Sequence, residues 1–234
     1  MNDFPLKLRI VNFGLRATKY YVRNFEKRGM MTHTQKTPLA MLPKGLSGRF
    51  FSFLMERMNR KAYQATFEAL EAAADMRLLE VGFGTGAFLE HAVKSVKCKS
   101  IAGVDPSALM VETAKRRLEP YRGRFDIDLR IGDDRSLPWP GGAFDRITAI
   151  HSFQFWAAPE KTLLRIKELL APDGLFCLTL RNHGSRPPDW LPNPVSREQN
   201  EVAKTIDMLT QAGFGNCTVF CKFKSSTLIK SSVL

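Results

Sequence analysis

LLEVGFGTGAF, residues 78 to 88, sets Gly82, Gly84 and Gly86 two apart, directly behind an apolar run that carries Glu80 near its end. Leu78, Leu79 and Val81, interrupted only by Glu80, suit a strand buried on both faces. A first glycine then allows a sharp turn, a second lets the backbone approach a bound group, and a third lets the next helix pack tightly on the sheet. The free N–H groups at that helix start complete a seat of nucleotide size. Dinucleotide enzymes use nearly the same device, so the acids around it decide between ligands. Glu80, two residues before Gly82, would repel a pyrophosphate. The Gly-Lys-Ser/Thr ending of an ATP-binding loop is missing. Asp105 follows Gly86 by 19 residues, at the end of a second apolar run, where a carboxylate takes both hydroxyls of a ribose. The ligand so defined carries a ribose and an amino or cationic group, without phosphates.

Outward from this stretch, strand and helix patterns alternate. A helical pattern covers about Arg49 to Ala74, and MRLLEVG (76–82) is the first strand, with a helix from about Ala87 to Ser95. SIAGVD (100–105), FDIDLRIGD (125–133), FDRITAIHS (144–152) and LFCLTLRN (175–182) are further strands. Between them lie a helix in SALMVETAKRRLEPY and another in PEKTLLRIKELLAPDG, stopped at Pro172 and Gly174. A proline-bearing insertion at 182–197 leads to a helix at about 198–212, and CTVFCKF and STLIKSSV close as an antiparallel pair. The expected fold is α/β: a Rossmann-like, seven-stranded, mostly parallel sheet with an antiparallel C-terminal strand and helices on both faces. Right-handed crossovers bring the strand C-terminal ends to one edge, where ligands bind.

The net charge of +12 is concentrated in the first part of the chain. Residues 1–61 hold 13 Lys or Arg against Asp3, Glu26 and Glu56, whereas the remainder has 22 basic and 20 acidic residues. Residues 1–61 therefore read as a basic arm, a lid and the start of the first helix, and 62–234 as the core. Anionic lipid, nucleic acid or an acidic small molecule would each feel that field, and a solubilising arm is the plain alternative. Cys98, Cys177, Cys217 and Cys221 show no C-x-x-C spacing, so reduced thiols in a cytoplasmic protein are expected, with no metal site. No apolar run reaches membrane-spanning length.

At this point the chain resembles the class I S-adenosylmethionine-dependent methyltransferases, especially the branch of the ubiquinone and menaquinone biosynthesis enzymes. Four features carry the likeness in order: LLEVGFGTG, GVDPS (103–107), GDDRSLPWPGGAFD (132–145) and LLRIKELLAPDGLF (163–176). The resemblance implies S-adenosyl-L-methionine as donor and S-adenosyl-L-homocysteine as product. It implies Glu80 near the donor's amino group, with Gly82, Phe83, Gly84, Thr85 and Gly86 beneath its methionine and ribose. It further implies Asp105 on the ribose, Pro106 and Ser107 beside the adenine, Asp133 on the adenine amino group and Asp134 in nearby backbone contacts. A turn or helix cap is the alternative role for Asp133 and Asp134. Phe83 departs from the small residue or cysteine of many relatives; it either covers the ligand or packs on the first helix.

Methyl transfer is an in-line displacement that needs alignment and exclusion of water, with a base only where the acceptor must first lose a proton. His151, in HSFQFW after the fourth strand, is the candidate base or orienting group beside donor and acceptor. Phe153 and Trp156 are expected as an aromatic wall for the acceptor, although core packing explains them equally well. His183, Met31 and Met41 are the other expected acceptor contacts, the methionines forming a soft lid or a contact between two copies of the chain. A small-molecule O, N or C nucleophile is the first expectation for the acceptor. A phospholipid or other membrane-associated amine would use the basic arm at an anionic membrane face. RNA lacks a binding module or an Asn-Pro-Pro-Tyr-like signature here, and a non-catalytic binding protein conflicts with the intact Glu80, glycine turn and Asp105.

Overall fold

The computed structural model describes residues 45–96, 98–183, 189 and 191–233. Helix α1 (Gly45–Ala69) leads into β1 (Arg77–Val81), α2 (Ala87–Ser95), β2 (Ser100–Asp105), α3 (Ala108–Leu118) and β3 (Asp126–Ile131). There follow β4 (Phe144–Ile150), α4 (Pro159–Leu169), β5 (Leu170–Arg181), α5 (Glu201–Gln211), β6 (Phe214–Lys222) and β7 (Ser226–Val233). The strands form one seven-stranded sheet in the order β3-β2-β1-β4-β5-β7-β6. The first five strands are parallel, and β7 runs antiparallel between β5 and β6. This is the expected Rossmann-like α/β architecture, with the reversal of strand order at β1 opening a crevice at the C-terminal edge.

Alternation along each strand feeds two cores. Leu79, Ala102, Phe176, Leu178 and Ile229 point to the face covered by α4 and α5 through Leu163, Ile166, Leu169 and Leu209. Their neighbours Leu78, Ile101, Cys177 and Leu228 point to the other face, under Ala65, Ala69, Phe88, Leu89, Val111 and Ala114 of α1, α2 and α3. Each fully buried Leu, Ile or Phe there contributes about 1.5–3 kcal/mol. Away from the binding edge, Asp145 clamps the start of β4 to the start of β1: its carboxylate accepts from the Arg77 backbone N–H at 2.8 Å and from the guanidinium at 2.7 and 3.1 Å.

Several boundaries differ from the sequence expectation. Helix α1 begins four residues before Arg49 and ends at Ala69, where Glu71 and Asp75 take positive φ angles of 48° and 62°. Buried Ala62, Ala65 and Ala69 hold it on the sheet, packing that outweighs the cost of Gly45 and Gly48. Helix α4 stops at Leu169 instead of running to Pro172, because the next residue is taken into the sheet. Leu170 instead pairs with Phe144, and a register shift absorbs Asp173 at φ 60°. Helix α5 starts at Glu201 after a 3-10 turn at Val195–Arg197, and β6 begins at Phe214 rather than Cys217. Among the described residues no helix is long and apolar enough to cross a membrane.

Candidate functional site

The three glycines of the turn answer to different demands. Gly82 (φ 81°) follows β1, and its N–H donates to the Val104 carbonyl at 2.8 Å. A Cβ there would lie 2.5 Å from the Ser152 Cβ, whose hydroxyl donates to the Val81 carbonyl at 2.7 Å. Gly86 (φ 73°) starts α2, and its Cβ would lie 2.8 Å from that of Ala114 on α3. The protein therefore needs both for its own packing. At Gly84 (φ 55°) a Cβ would meet nothing within 4 Å among the described residues. The bare backbone there borders open space, as a cradle for a ligand requires.

That backbone is tied to Asp105 at the end of β2. The Gly84 N–H donates to Asp105 Oδ2 at 2.8 Å, and the Ser107 N–H donates to Oδ1 at 2.9 Å. Burial pushes the carboxyl up to about 6 against the lowering effect of these two bonds. Each oxygen keeps a further lone pair for a hydroxyl. Glu80, near the end of β1, is only 2% exposed, and its Oε2 has no hydrogen-bond partner. Burial, and then the charge of Asp105, drive its carboxyl well above the usual range. Tyr63 of α1 stands near enough for Glu80 to help raise its phenol, after burial. Two buried carboxyls beside an open backbone cradle form a site short of positive charge and of hydroxyl donors. A ribose joined to an amino group and a sulfonium supplies both, so these residues fit S-adenosylmethionine.

The other expected donor contacts divide. Pro106 is half-buried; Ser107 is buried and caps α3, its Oγ accepting from the Met110 N–H at 3.4 Å. The Thr85 hydroxyl donates to Glu56 of α1 at 3.2 Å and accepts from Arg117 of α3 at 3.1 Å, while Arg117 also reaches Glu56 at 2.9 Å. Asp133 stands at the end of β3, half-buried, with its Oδ1 accepting from the Arg135 backbone N–H at 3.0 Å and its Oδ2 paired with the Arg135 side chain. Asp134 is buried and accepts from Thr162 of α4 at 2.7 Å, which makes it a loop-to-helix anchor. The Phe83 side chain is turned away from the cradle: it is buried against β2, 2.4 Å from where a Cβ on Gly103 would stand. Of the two roles expected for Phe83, the ring takes the packing one, against β2 instead of the first helix alone, and its backbone forms part of the turn.

On the acceptor side, His151 follows β4 with φ 54°. Its Nε2 hydrogen-bonds Ser226 Oγ of β7 at 2.8 Å, and its buried Nδ1 has no partner. Burial first, then Arg181 and His183, push the imidazole down to about 3, so it is neutral and a weak base near pH 7. His183, just past β5, also has a buried, unpartnered Nε2, and burial followed by Arg181 lowers it. Phe153 and Trp156, expected as an aromatic wall or as core, are 1% and 2% exposed and pack edge-on at 5.2 Å as members of the core. Their neighbour Gln154 instead contributes a buried Oε1 without a partner. Met31 and Met41 lie outside the described residues.

Sequence reasoning missed Gln154, Arg181, Ser226 and the Glu56–Arg117 pair. Arg181 ends a strand in the same relation to the sheet edge as Asp105, a positional signal available in LFCLTLRN. Gln154 lay within the quoted HSFQFW, between the aromatics that drew attention. Nothing local marks Ser226, whose place depends on the pairing of β7 with β5.

Comparison with known proteins agrees with this fold. Residues 79–178 match the family described as Methyltransferase domain. An uncharacterized methyltransferase, YdaC, of Bacillus subtilis is 27% identical over 129 residues, covering 55% of this chain and 69% of its own. The chloroplastic 2-methyl-6-phytyl-1,4-hydroquinone methyltransferase of Arabidopsis thaliana is 32% identical over 115 residues, 47% of this chain. The matched region spans only 33% of that plant protein's length. Among solved structures, a SAM dependent methyltransferase from Aquifex aeolicus superposes with a TM-score of 0.59 at 18% identity, covering 78% of this chain and 98% of that one.

Proposed function

We propose that this chain, a class I S-adenosylmethionine-dependent methyltransferase with its methyltransferase domain at residues 79–178, methylates a small-molecule nucleophile. The observation that carries the reading is the open backbone at Gly84, bonded to Asp105 and flanked by Glu80, whose Oε2 has no partner among the described residues. When bound, S-adenosylmethionine supplies a methyl carbon on a positively charged sulfur. Asp105 accepts from the ribose hydroxyls, and Glu80 meets the donor's ammonium, directly or through water. Glu80 ionises as that cation offsets its burial. The Gly82–Gly86 backbone lies beneath the methionine and ribose, with Thr85 held in place by Glu56 and Arg117. Pro106 and Ser107 flank the adenine, and Asp133 takes its amino group. His151 orients the acceptor with Nδ1, and His183 contacts it on the β5 side.

Sulfonium charge disappears as the methyl moves, so an enclosed site of low polarity favours the reaction. Hydroquinone methylation by the plant relative supports a small, hydroxylated acceptor for this chain as well. The concentration of positive charge in residues 1–61 favours a second reading, in which the acceptor is presented at an anionic membrane surface. Calorimetry with S-adenosylhomocysteine tests the donor site: binding should occur, and Asp105→Ala should weaken it by about 1–3 kcal/mol. Absence of binding by the folded chain would overturn the enzymatic reading. Pelleting with anionic vesicles, lost on deleting residues 1–28, tests the membrane reading.

A further inference from the structure

Among the described residues the Ser226 side chain makes a single hydrogen bond, between its Oγ and His151 Nε2 at 2.8 Å. Ser226 is 2% exposed, which withholds bulk water from its hydroxyl. A hydroxyl has one proton to give, and Nε2 is the acceptor this one meets. The imidazole is neutral near pH 7, because burial, then Arg181 and His183, lower it to about 3, so it carries one ring proton. With Nε2 engaged as an acceptor, that proton stands on Nδ1. The reverse arrangement, with Nε2 donating to Ser226, would strand the hydroxyl proton as well as Nδ1, and a buried polar group without a partner is costly. Resting on the methyltransferase reading above, we propose that Ser226 is a positioning residue: it fixes the Nδ1–H tautomer of His151, and so makes this histidine a hydrogen-bond donor to an oxygen of the acceptor instead of a base.

The fold holds both partners of this bond firmly. Ser226 opens β7, where it pairs with the last residue of β5. Asn182, the next residue after β5, grips the β6–β7 hairpin on both sides of Ser226. Its backbone N–H donates to the Ser225 carbonyl and its Nδ2 to the Phe223 carbonyl, each at 3.0 Å, and its Oδ1 accepts from the Thr227 hydroxyl at 3.0 Å. The Phe223 N–H closes the hairpin on the Ser226 carbonyl at 2.7 Å. On the other side, the His151 N–H donates to the Thr179 carbonyl at 2.9 Å, with the backbone at φ 54°. Left-handed backbone is uncommon for a residue with a Cβ, and such strain gathers at functional sites. The same residue carries the buried Nδ1 that has no partner among the described residues. A proton donor held there is a seat for a lone pair. A carbonyl, ether, hydroxyl or ionised oxygen offers one, and an ammonium group does not. Proton abstraction at Nδ1 would need a lone pair on that nitrogen, which the bond from Ser226 removes.

Nuclear magnetic resonance on the full-length protein, isotope-labelled at its histidine nitrogens, reads the tautomer directly. Long-range proton–nitrogen couplings separate the two neutral forms of an imidazole, and His151→Gln identifies the signal by its loss. His151 should show a protonated Nδ1 and a bare Nε2 near neutral pH. Ser226→Ala should move the ring toward the Nε2–H form by about tenfold, the worth of one buried hydrogen bond. Ser226→Thr, which keeps the hydroxyl, should leave the tautomer where it was. With S-adenosylhomocysteine bound, titration with phenol as the probe oxygen should shift the Nδ1 proton resonance. An Nε2–H ring in the wild-type protein overturns the proposal without recourse to any variant. A tautomer that Ser226→Ala leaves unchanged, or an Nδ1 proton that phenol does not move, overturns it as well. Failure of S-adenosylhomocysteine to bind the wild-type protein would instead overturn the methyltransferase reading.

Discussion

Alanine at position 84 puts a methyl group into space that no atom of the described residues occupies within 4 Å. Its stability cost is thus confined to the left-handed backbone at φ 55°, about 1–2 kcal/mol for a residue with a Cβ. The smaller freedom of alanine in the unfolded chain returns about 0.4–1 kcal/mol. The net loss is about 1 kcal/mol, which lowers the melting temperature of a chain of this size by about 2–4 °C. Alanine at position 86 meets the same backbone cost and also forces its Cβ to 2.8 Å from Ala114 Cβ and 3.2 Å from its Cα. Overpacking adds about 1–3 kcal/mol, so Gly86→Ala should be markedly less stable. Binding should follow the reverse order. Gly84→Ala blocks the cradle and should lose at least about tenfold in affinity for S-adenosylhomocysteine, about 1.4 kcal/mol. Thermal unfolding and calorimetry on the two variants read both quantities. Equal destabilisation of the pair, or undiminished binding by Gly84→Ala, refutes the assignment of that space to the ligand.

The ligand-free protein should lose stability as pH rises, through Asp105. Its folded pKa of about 6 exceeds the ordinary 3.8, so its contribution is complete below about 3.8 and is lost as pH passes about 6, on the order of 3 kcal/mol. Glu80 acts in the same sense, whereas Asp145, lowered by its bonds to Arg77, acts in the opposite one. Urea unfolding of wild type and Asp105→Asn at pH 4 and 7 isolates the Asp105 share, and identical pH slopes would sink the argument. Asp145→Ala leaves the Arg77 backbone N–H, Nε and Nη2 without the acceptor they share, with only Nη1 still bonded to the Gly142 carbonyl, and should cost about 1–3 kcal/mol with donor affinity unchanged. Glu56→Ala removes the acceptor shared by Thr85 and Arg117. It should speed tryptic cleavage of α1 at Arg57, Arg60 and Lys61 and weaken donor binding by about 1 kcal/mol; an unaltered cleavage rate would show that this link does not hold the helix.

Local pattern was enough for the sheet, because buried strands such as SIAGVD and FDRITAI are read from a few residues and the alternation with helices constrains their order. Glu80 and Asp105 were legible for the same reason: each lies at or beside a strand end. Orientation across the sheet was not. His151 follows β4 directly, whereas Phe153 and Trp156 lie in and just after a 3-10 turn at Phe153–Phe155, with both rings in the core and Gln154 left with a buried, unpartnered oxygen among the described residues. The Ser226 contact with His151 joins residues 75 apart in the chain and depends on the pairing of β7 with β5. Likewise the end of α4 was set by the pairing of Leu170 with Phe144, a tertiary contact that overrode helical periodicity.

The ring of Phe83 occupies the place that a side chain on Gly103 would need, with only 2.4 Å between them. These two positions cannot drift independently. Enlarging residue 103 first drives a methyl group into an aromatic ring, while shrinking residue 83 first opens a cavity that costs about 3–5 kcal/mol. Either single step is penalised, and the paired change is not. Descendants of this sequence should therefore keep both residues or exchange both, an epistatic ratchet set by one contact beneath the glycine turn.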